Sequence, residues 1–215
     1  MNDRRFTERD CETLYELLLH RRDVRGNRFV EKEISDKDLS LILQAASLSP
    51  SVGFSQPWEF VVVKNTHTRK EIARIFEDEN QKALRQFSSE KAQKYALLKL
   101  EGIRASAVNL AVFYTPRDTP VLGQTSMPEA GEYSVVCAIQ NMWLMSRALN
   151  IGMGWVSILD QEKVKKTLNA PHKNKLIAYL CLGHVDQFLQ KPELELHGWE
   201  KKIEIDSKVT YEKYA

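Results

Sequence analysis

From Tyr133 to Leu149 the chain carries apolar side chains on nearly every face of a helix, among them Val135, Val136, Ile139, Met142, Trp143, Met145 and Leu149. A helix that is apolar all round is stable only in an interior. The stretch therefore predicts a central buried helix with the rest of the fold layered about it. A bilayer is the other apolar interior, but the uncharged run within this stretch, Tyr133 to Ser146, contains Gln140 and Asn141 and is shorter than the roughly 20 residues needed to span one. With 215 residues and 43% hydrophobic content, the chain can bury one substantial core. A single domain over residues 1–215 is expected.

The remaining elements are read around that helix. Thr7 to Asp10 marks a helix start, and Cys11, Leu14, Leu17 and Leu18 recur at helical spacing up to His20. Ser35 with Asp38 resembles a capping box, and Leu39, Ile42, Leu43 and Ala46 form the buried stripe of a second helix that Pro50 ends. Residues 58–63, 108–114, 155–158 and 176–182 read as strands. Helices are expected over 68–76, about 81–100 and about 162–168, a loop over 116–132, and a polar extended tail from Pro192. Three or four strands among five or more helices predict an α+β fold.

Thirty-one basic and twenty-nine acidic side chains leave a net charge of +2. That balance gives no general field for nucleic acid, so any anion recognition must be local. Cys11, Cys137 and Cys181 are odd in number, widely spaced and set among apolar residues, as reduced core thiols would be. The charged amino end, residues 1–10, is expected to be neither a secretory signal nor a membrane anchor. A cytoplasmic protein is expected. The five histidines never fall at metal-ligand spacing, so no metal site is expected. No Walker loop or nucleophile elbow is present. Gly152-Met153-Gly154-Trp155-Val156-Ser157 lacks the third glycine of a dinucleotide fingerprint and leads into a strand instead of a helix.

Two stretches stand out as candidate sites. Arg21, Arg22 and Arg25 surround Asp23 in His20-Arg21-Arg22-Asp23-Val24-Arg25. Guanidinium forks match a phosphate ester bidentately; a solvated helix end that complements the helix dipole is the other reading. The second stretch, Ser49 to Trp58, is a loop with two prolines, a glycine and short hydroxyl side chains between a helix and a strand. Loops on rigid elements accumulate binding groups, although a plain connection also accounts for it.

Three motifs taken together, R-R-D-V-R at 21–25, P-S-x-G-x-x-Q-P-W at 50–58 and G-x-G-W-V-S at 152–157, resemble the nitroreductase-like flavoprotein family and, within it, the BluB-type 5,6-dimethylbenzimidazole synthase branch. Lys99 to Ile103 and Leu194 to Trp199 carry the same likeness. The resemblance implies a homodimeric α+β fold with a central mixed sheet flanked by helices and FMN at the subunit interface. Arg21, Arg22 and Arg25 would grip its phosphate. Asp23, Val24, Pro50, Ser51, Gly53, Gln56, Val156 and Ser157 would complete the binding set.

The implied reaction consumes reduced FMN and O2 and yields 5,6-dimethylbenzimidazole, the lower ligand of vitamin B12, and erythrose 4-phosphate, with a separate flavin reductase supplying reduced FMN. Nitroreductases usually carry serine at the position of Asp23 and often asparagine at that of Phe54. Both departures favour the synthase branch over an FMN-dependent NAD(P)H nitro or quinone reductase or a non-catalytic flavin-binding protein. Asp23 is expected to act as general base or proton shuttle at the ribityl carbon, and Ser157 to orient the flavin. Residues 91–104 are a candidate lid, and Trp155 is read as core.

Overall fold

The computed structural model describes residues 3–214. Helix α1 (Glu8–His20) starts on a capping box: the Thr7 hydroxyl accepts the Asp10 N–H and the Asp10 carboxylate accepts the Thr7 N–H. Helix α2 (Asp36–Ser47) starts on Ser35, whose hydroxyl accepts the Asp38 N–H at 3.0 Å. Then follow β1 (Trp58–Val63), α3 (Thr66–Leu84), α4 (Ser89–Leu97), β2 (Val108–Tyr114), α5 (Ala130–Ala148), β3 (Gly152–Val156), α6 (Gln161–Thr167), β4 (Lys175–Gly183) and α7 (Glu193–Leu196).

The four strands form one sheet in the order β1-β2-β4-β3, every neighbouring pair antiparallel. The mixed character expected of the sheet is confined to one parallel bridge, Asp23 with Met153, at the β3 edge. Successive side chains of a strand point to opposite faces, and both faces here are covered. Leu110, Val112, Leu180 and Leu182 meet Ile42, Ala46, Ile139 and Met142 of α2 and α5. Ala111, Phe113, Tyr179 and Cys181 meet Ile72, Phe76 and Val164 of α3 and α6. This double burial is why β2 and β4 read as nearly continuous apolar runs. A side chain such as Met142, fully buried on α5, stabilises the fold by about 1.5–3 kcal/mol relative to an exposed one.

Several boundaries differ from the sequence reading. The strand expected over 155–158 runs over Gly152–Val156 and leaves Ser157 just beyond its end. Helix α5 starts at Ala130, where Gly131 lies so close to the Tyr114 ring that a β-carbon would sit 2.5 Å from it. Helix α3 continues to Leu84, and the break before α4 falls at 85–88. The tail is not extended throughout, since α7 begins directly after Pro192. Cys181 is buried as expected, but Cys11 and Cys137 are exposed. The apolar stripe of α1 is uncovered: no residue of that helix is buried, and Leu14, Leu18 and Leu19 are all about half exposed. Helix α5 likewise turns Tyr133, Val136 and Cys137 outward. Among the described residues no helix is long and apolar enough to cross a membrane, and no group of three or more potential metal ligands occurs.

Candidate active site

The segment from Arg21 to Arg25 lies along the outer edge of β3. The Val24 N–H donates to the Met153 carbonyl at 3.1 Å, and the Trp155 N–H donates to Asp23 Oδ1 at 2.9 Å. Only glycine permits this approach. A β-carbon on Gly154 would stand 2.1 Å from the Val24 carbonyl oxygen, and one on Gly152 would meet Val185 and Val24 methyls at 2.5 and 3.1 Å. The two glycines that faintly mimic a nucleotide fingerprint thus serve to seat the arginine segment.

From the other side, α5 clamps the same segment. Trp143 Nε1 donates to the Arg22 carbonyl at 3.1 Å, and Arg147 Nε to the His20 carbonyl at 3.0 Å.

Asp23 is held from two directions, with Oδ1 on the Trp155 amide and Oδ2 2.5 Å from Arg25 Nη2. Although 31% of its side chain is exposed, desolvation dominates and raises the carboxyl above the ordinary range. Arg25, the Trp155 amide and Arg21 pull it down, while Glu193 pushes it further up. The result is a carboxylate more basic than a surface aspartate, fixed in direction by two donors.

The three arginines do not converge, contrary to the sequence expectation. Arg21 stacks on the Trp143 ring at 4.8 Å, and its guanidinium makes no hydrogen bond among the described residues. Arg22 gives all three nitrogens to main-chain carbonyls, those of Leu19, Arg21, Leu189 and Gln190. Arg25 pairs with Asp23 and reaches the Leu100 carbonyl at 3.4 Å. Competing acceptors within the chain keep the three forks apart. Val24 and Val156 are buried side chains, and that of Val156 packs with Ile72 and Val164, so only their main chains are available to a ligand. Ser157 is exposed two residues beyond Trp155 and makes no side-chain hydrogen bond among the described residues. Residues 98–104, the end of the candidate lid, pack behind the segment, with the Gly26 N–H donating to the Glu101 carbonyl at 2.6 Å.

The loop at 50–57 is the second candidate stretch and is held separately. Gly53, Phe54 and Gln56 have φ of +55°, +51° and +48°, a conformation that costs a non-glycine residue about 1–2 kcal/mol. A β-carbon on Gly53 would press on the Leu122 main chain at 2.8 Å. Ser134 on α5 accepts the Val52 N–H at 3.0 Å, Ser51 accepts the Gln56 N–H at 3.0 Å, and Arg117 donates to the Ser55 carbonyl at 2.8 Å. The Ser49 and Ser55 hydroxyls are buried with no hydrogen-bond partner among the described residues, and Pro50, Phe54 and Gln56 are exposed. Strain of this kind persists where surrounding contacts over-determine it and clusters at functional sites.

Arg21 to Arg25 and Pro50 to Gln56 are not brought together within one chain. Both are fastened to α5, at Trp143 and Ser134, nine positions and roughly 14 Å apart along the helix axis. A cavity of about 900 Å³ lined by Lys32, Ile34, Arg69 and Ser106 belongs to neither. Sequence reasoning missed Trp143, Arg147 and Glu193. Charge on a helix was the only signal for the last two, and that signal is not specific.

The sequence matches the Nitroreductase family over residues 18–184. It is 41% identical over 188 residues, 86% of this chain and 88% of the relative, to a 5,6-dimethylbenzimidazole synthase of Rhodospirillum rubrum. It is 35% identical over 201 residues, 92% of this chain and 96% of the relative, to one of Rhodobacter capsulatus. Among solved structures, oxidized iodotyrosine deiodinase bound to FMN and 3-iodo-L-tyrosine superposes with a TM-score of 0.74 at 21% identity, covering 94% of this chain and 100% of that one. Fold, motif order and similarity over most of the length agree, and the chain belongs to the nitroreductase family.

Proposed function

We propose that this chain is a 5,6-dimethylbenzimidazole synthase, in which FMN is the substrate: reduced FMN and O2 enter, and 5,6-dimethylbenzimidazole and erythrose 4-phosphate leave. Residues 1–215 act as one FMN-binding domain, as a homodimer in the cytoplasm, without a metal, and with reduced FMN supplied by a separate reductase. The observation that carries the reading is Asp23, a carboxylate made basic by desolvation and aimed by the Trp155 amide and Arg25 at the heart of the arginine segment. A residue serving only to bind a phosphate would not be anionic. Similarity to relatives of that name over most of the chain supports it.

The residues fit FMN. Arg21 has its donors uncommitted among the described residues and is held in place by Trp143, which suits a phosphate. Ser49 and Ser55 carry buried hydroxyls in the second half-site that have no partner among the described residues. When bound, reduced FMN supplies the electrons that O2 takes up; the chain supplies position and proton transfer. Asp23 removes a proton at the ribityl C1′ carbon, a role worth about a hundred- to ten-thousand-fold in rate. Ser157, exposed at the open end of β3, donates to or accepts from the ring edge and fixes its orientation. The uncovered apolar side chains of α1 and α5, with Leu48 and Phe54 exposed beside the loop, are the surface of a second copy.

The test is to supply chemically reduced FMN in air and follow products by mass. Dimethylbenzimidazole appearing with stoichiometric loss of flavin is expected. Flavin that is only reoxidised, with NAD(P)H consumed by the protein alone, would establish a nitro or quinone reductase instead.

A further inference from the structure

We infer that Arg22 is a positioning residue that ties the segment from Asp186 to Glu193 across Asp23, and not a ligand of the FMN phosphate. The inference rests on the synthase reading for the identity of the reacting carboxylate. The geometry of Arg22 stands independently of it. Its Nε donates to the Leu189 carbonyl at 2.9 Å and its Nη2 to the Gln190 carbonyl, while Nη1 spans the Leu19 and Arg21 carbonyls at 2.7 and 2.6 Å. A phosphate would have to displace four acceptors from a fork whose nitrogens are all in use. Arg21, one residue away, has its donors uncommitted among the described residues. A charged hydrogen bond contributes more than a neutral one, so the two neighbouring arginines divide the work: one faces a ligand, the other holds the chain.

What Arg22 holds is fastened at further points. Arg28 Nη1 lies 3.3 Å from Asp186 Oδ2, and the Arg147 guanidinium stacks over the Phe188 ring at 4.1 Å. Pro192 then turns the chain into α7. Arg22, Asp23, Arg25, Phe188, Leu189 and Glu193 line one narrow cleft of about 10 Å³, with Glu193 itself only 12% exposed. The segment therefore does two things for Asp23. It covers the carboxylate against water, and it brings a second carboxylate near it. Both favour the protonated form and so make the ionised one a stronger base. Release of the tether would make Asp23 less basic while leaving Arg21, Arg25 and the Trp155 amide in place.

The full chain carrying Arg22→Gln or Arg22→Lys tests this. Lysine keeps the charge and loses the fork, so it also serves if the glutamine variant does not fold. A tether predicts that both variants bind FMN within about threefold of native in a fluorescence titration. It further predicts that amide exchange over 187–193 accelerates at least about tenfold, and that dimethylbenzimidazole formed per FMN oxidised falls in kcat with little change in KM. A loss of FMN affinity beyond threefold in Arg22→Gln that lysine restores would make Arg22 a phosphate ligand and overturn the inference. Unchanged exchange over 187–193 would overturn it equally. Native protein that reoxidises FMN without fragments defeats the synthase reading alone, because the binding and exchange measurements still decide the role of Arg22.

Discussion

Substituting Gly154 by alanine is the most exacting check on how the arginine segment is seated. The added methyl would stand 2.1 Å from the Val24 carbonyl oxygen and 3.4 Å from Asp23 Oδ1. The carbonyl is main chain, pinned by its own N–H to Met153, so the segment must move by about 1 Å to reach ordinary contact. That displacement sacrifices the Val24–Met153 bond, about 0.5–1.5 kcal/mol, and the charge-assisted Trp155–Asp23 bond, about 1.5–3 kcal/mol. A loss of roughly 2–4.5 kcal/mol follows, or roughly 4–18 °C in Tm for a chain of this size. Gly152→Ala is the internal control, since its methyl meets the side-chain methyls of Val185 and Val24, which can rotate or shift, and overpacking of that kind costs about 1–3 kcal/mol. Urea unfolding, with FMN titration and product yield on the folded protein, measures both variants. Gly154→Ala should be the more destabilised and should lose most dimethylbenzimidazole formation. Gly154→Ala with stability within about 0.5 kcal/mol of native and full product yield would refute the account of the glycines.

Asp23→Asn should retain FMN binding and lower product formation about a hundred- to ten-thousand-fold. In the native protein the acidic limb of kcat should lie above the ordinary aspartate value near 4, because desolvation raises the group, and the variant should lack that limb. The stability linkage has the same origin. Folded Asp23 holds its proton more tightly than the unfolded chain does, so its contribution is complete below the unfolded value and is lost as pH rises through the raised folded one. Asp23→Asn should therefore gain stability relative to native across that window, and urea melts showing the opposite trend would refute the assignment. Cys181, fully buried with its thiol pushed up to about 12, should stay unmodified by a water-soluble alkylating reagent at pH 8 until the chain unfolds, as peptide mapping would show. Val136→Glu, placing a charge on the outward face of α5, should give a folded monomer in sedimentation that no longer binds FMN.

The strands β1 and β2 were legible as short, nearly continuous apolar runs and the core stripe of α2 by its helical spacing. Elements containing glycine were not. Gly131 and Gly152 read as loop, yet both sit inside regular structure because a tyrosine ring and the Val24 and Val185 side chains leave no room for a β-carbon. That pressure is tertiary and has no local signature. The arginine segment was visible as charge, and Asp23 as the residue out of place in it. Which arginine faces a ligand was hidden, since the carbonyls that occupy Arg22 lie 167 and 168 residues further along the chain and any residue type supplies a carbonyl. Cys11 and Cys137 show the converse: their apolar neighbours are real, but those neighbours face outward.

That outward face also explains why α5 is apolar almost all round while only part of it is covered. Val135, Ala138, Ile139 and Met142 meet the sheet, Ser134 holds the loop, Trp143 and Arg147 hold the arginine segment, and Tyr133, Val136 and Cys137 are exposed. A two-fold contact is self-complementary. If two copies of α5 pair antiparallel along this stripe, the carboxyl end of one, carrying Arg21 to Arg25, comes beside the amino end of the other, carrying Ser49 to Gln56. Half-sites some 14 Å apart on each helix then become two complete sites, each built from both chains. The same arrangement predicts complementation: a mixture of Asp23→Asn chains with chains disabled at Ser51 or Gly53 should recover up to about a quarter of native activity, because random pairing leaves one intact site in half of the dimers. A mixture no more active than its two components would place both halves of the site within a single chain and dispose of the argument.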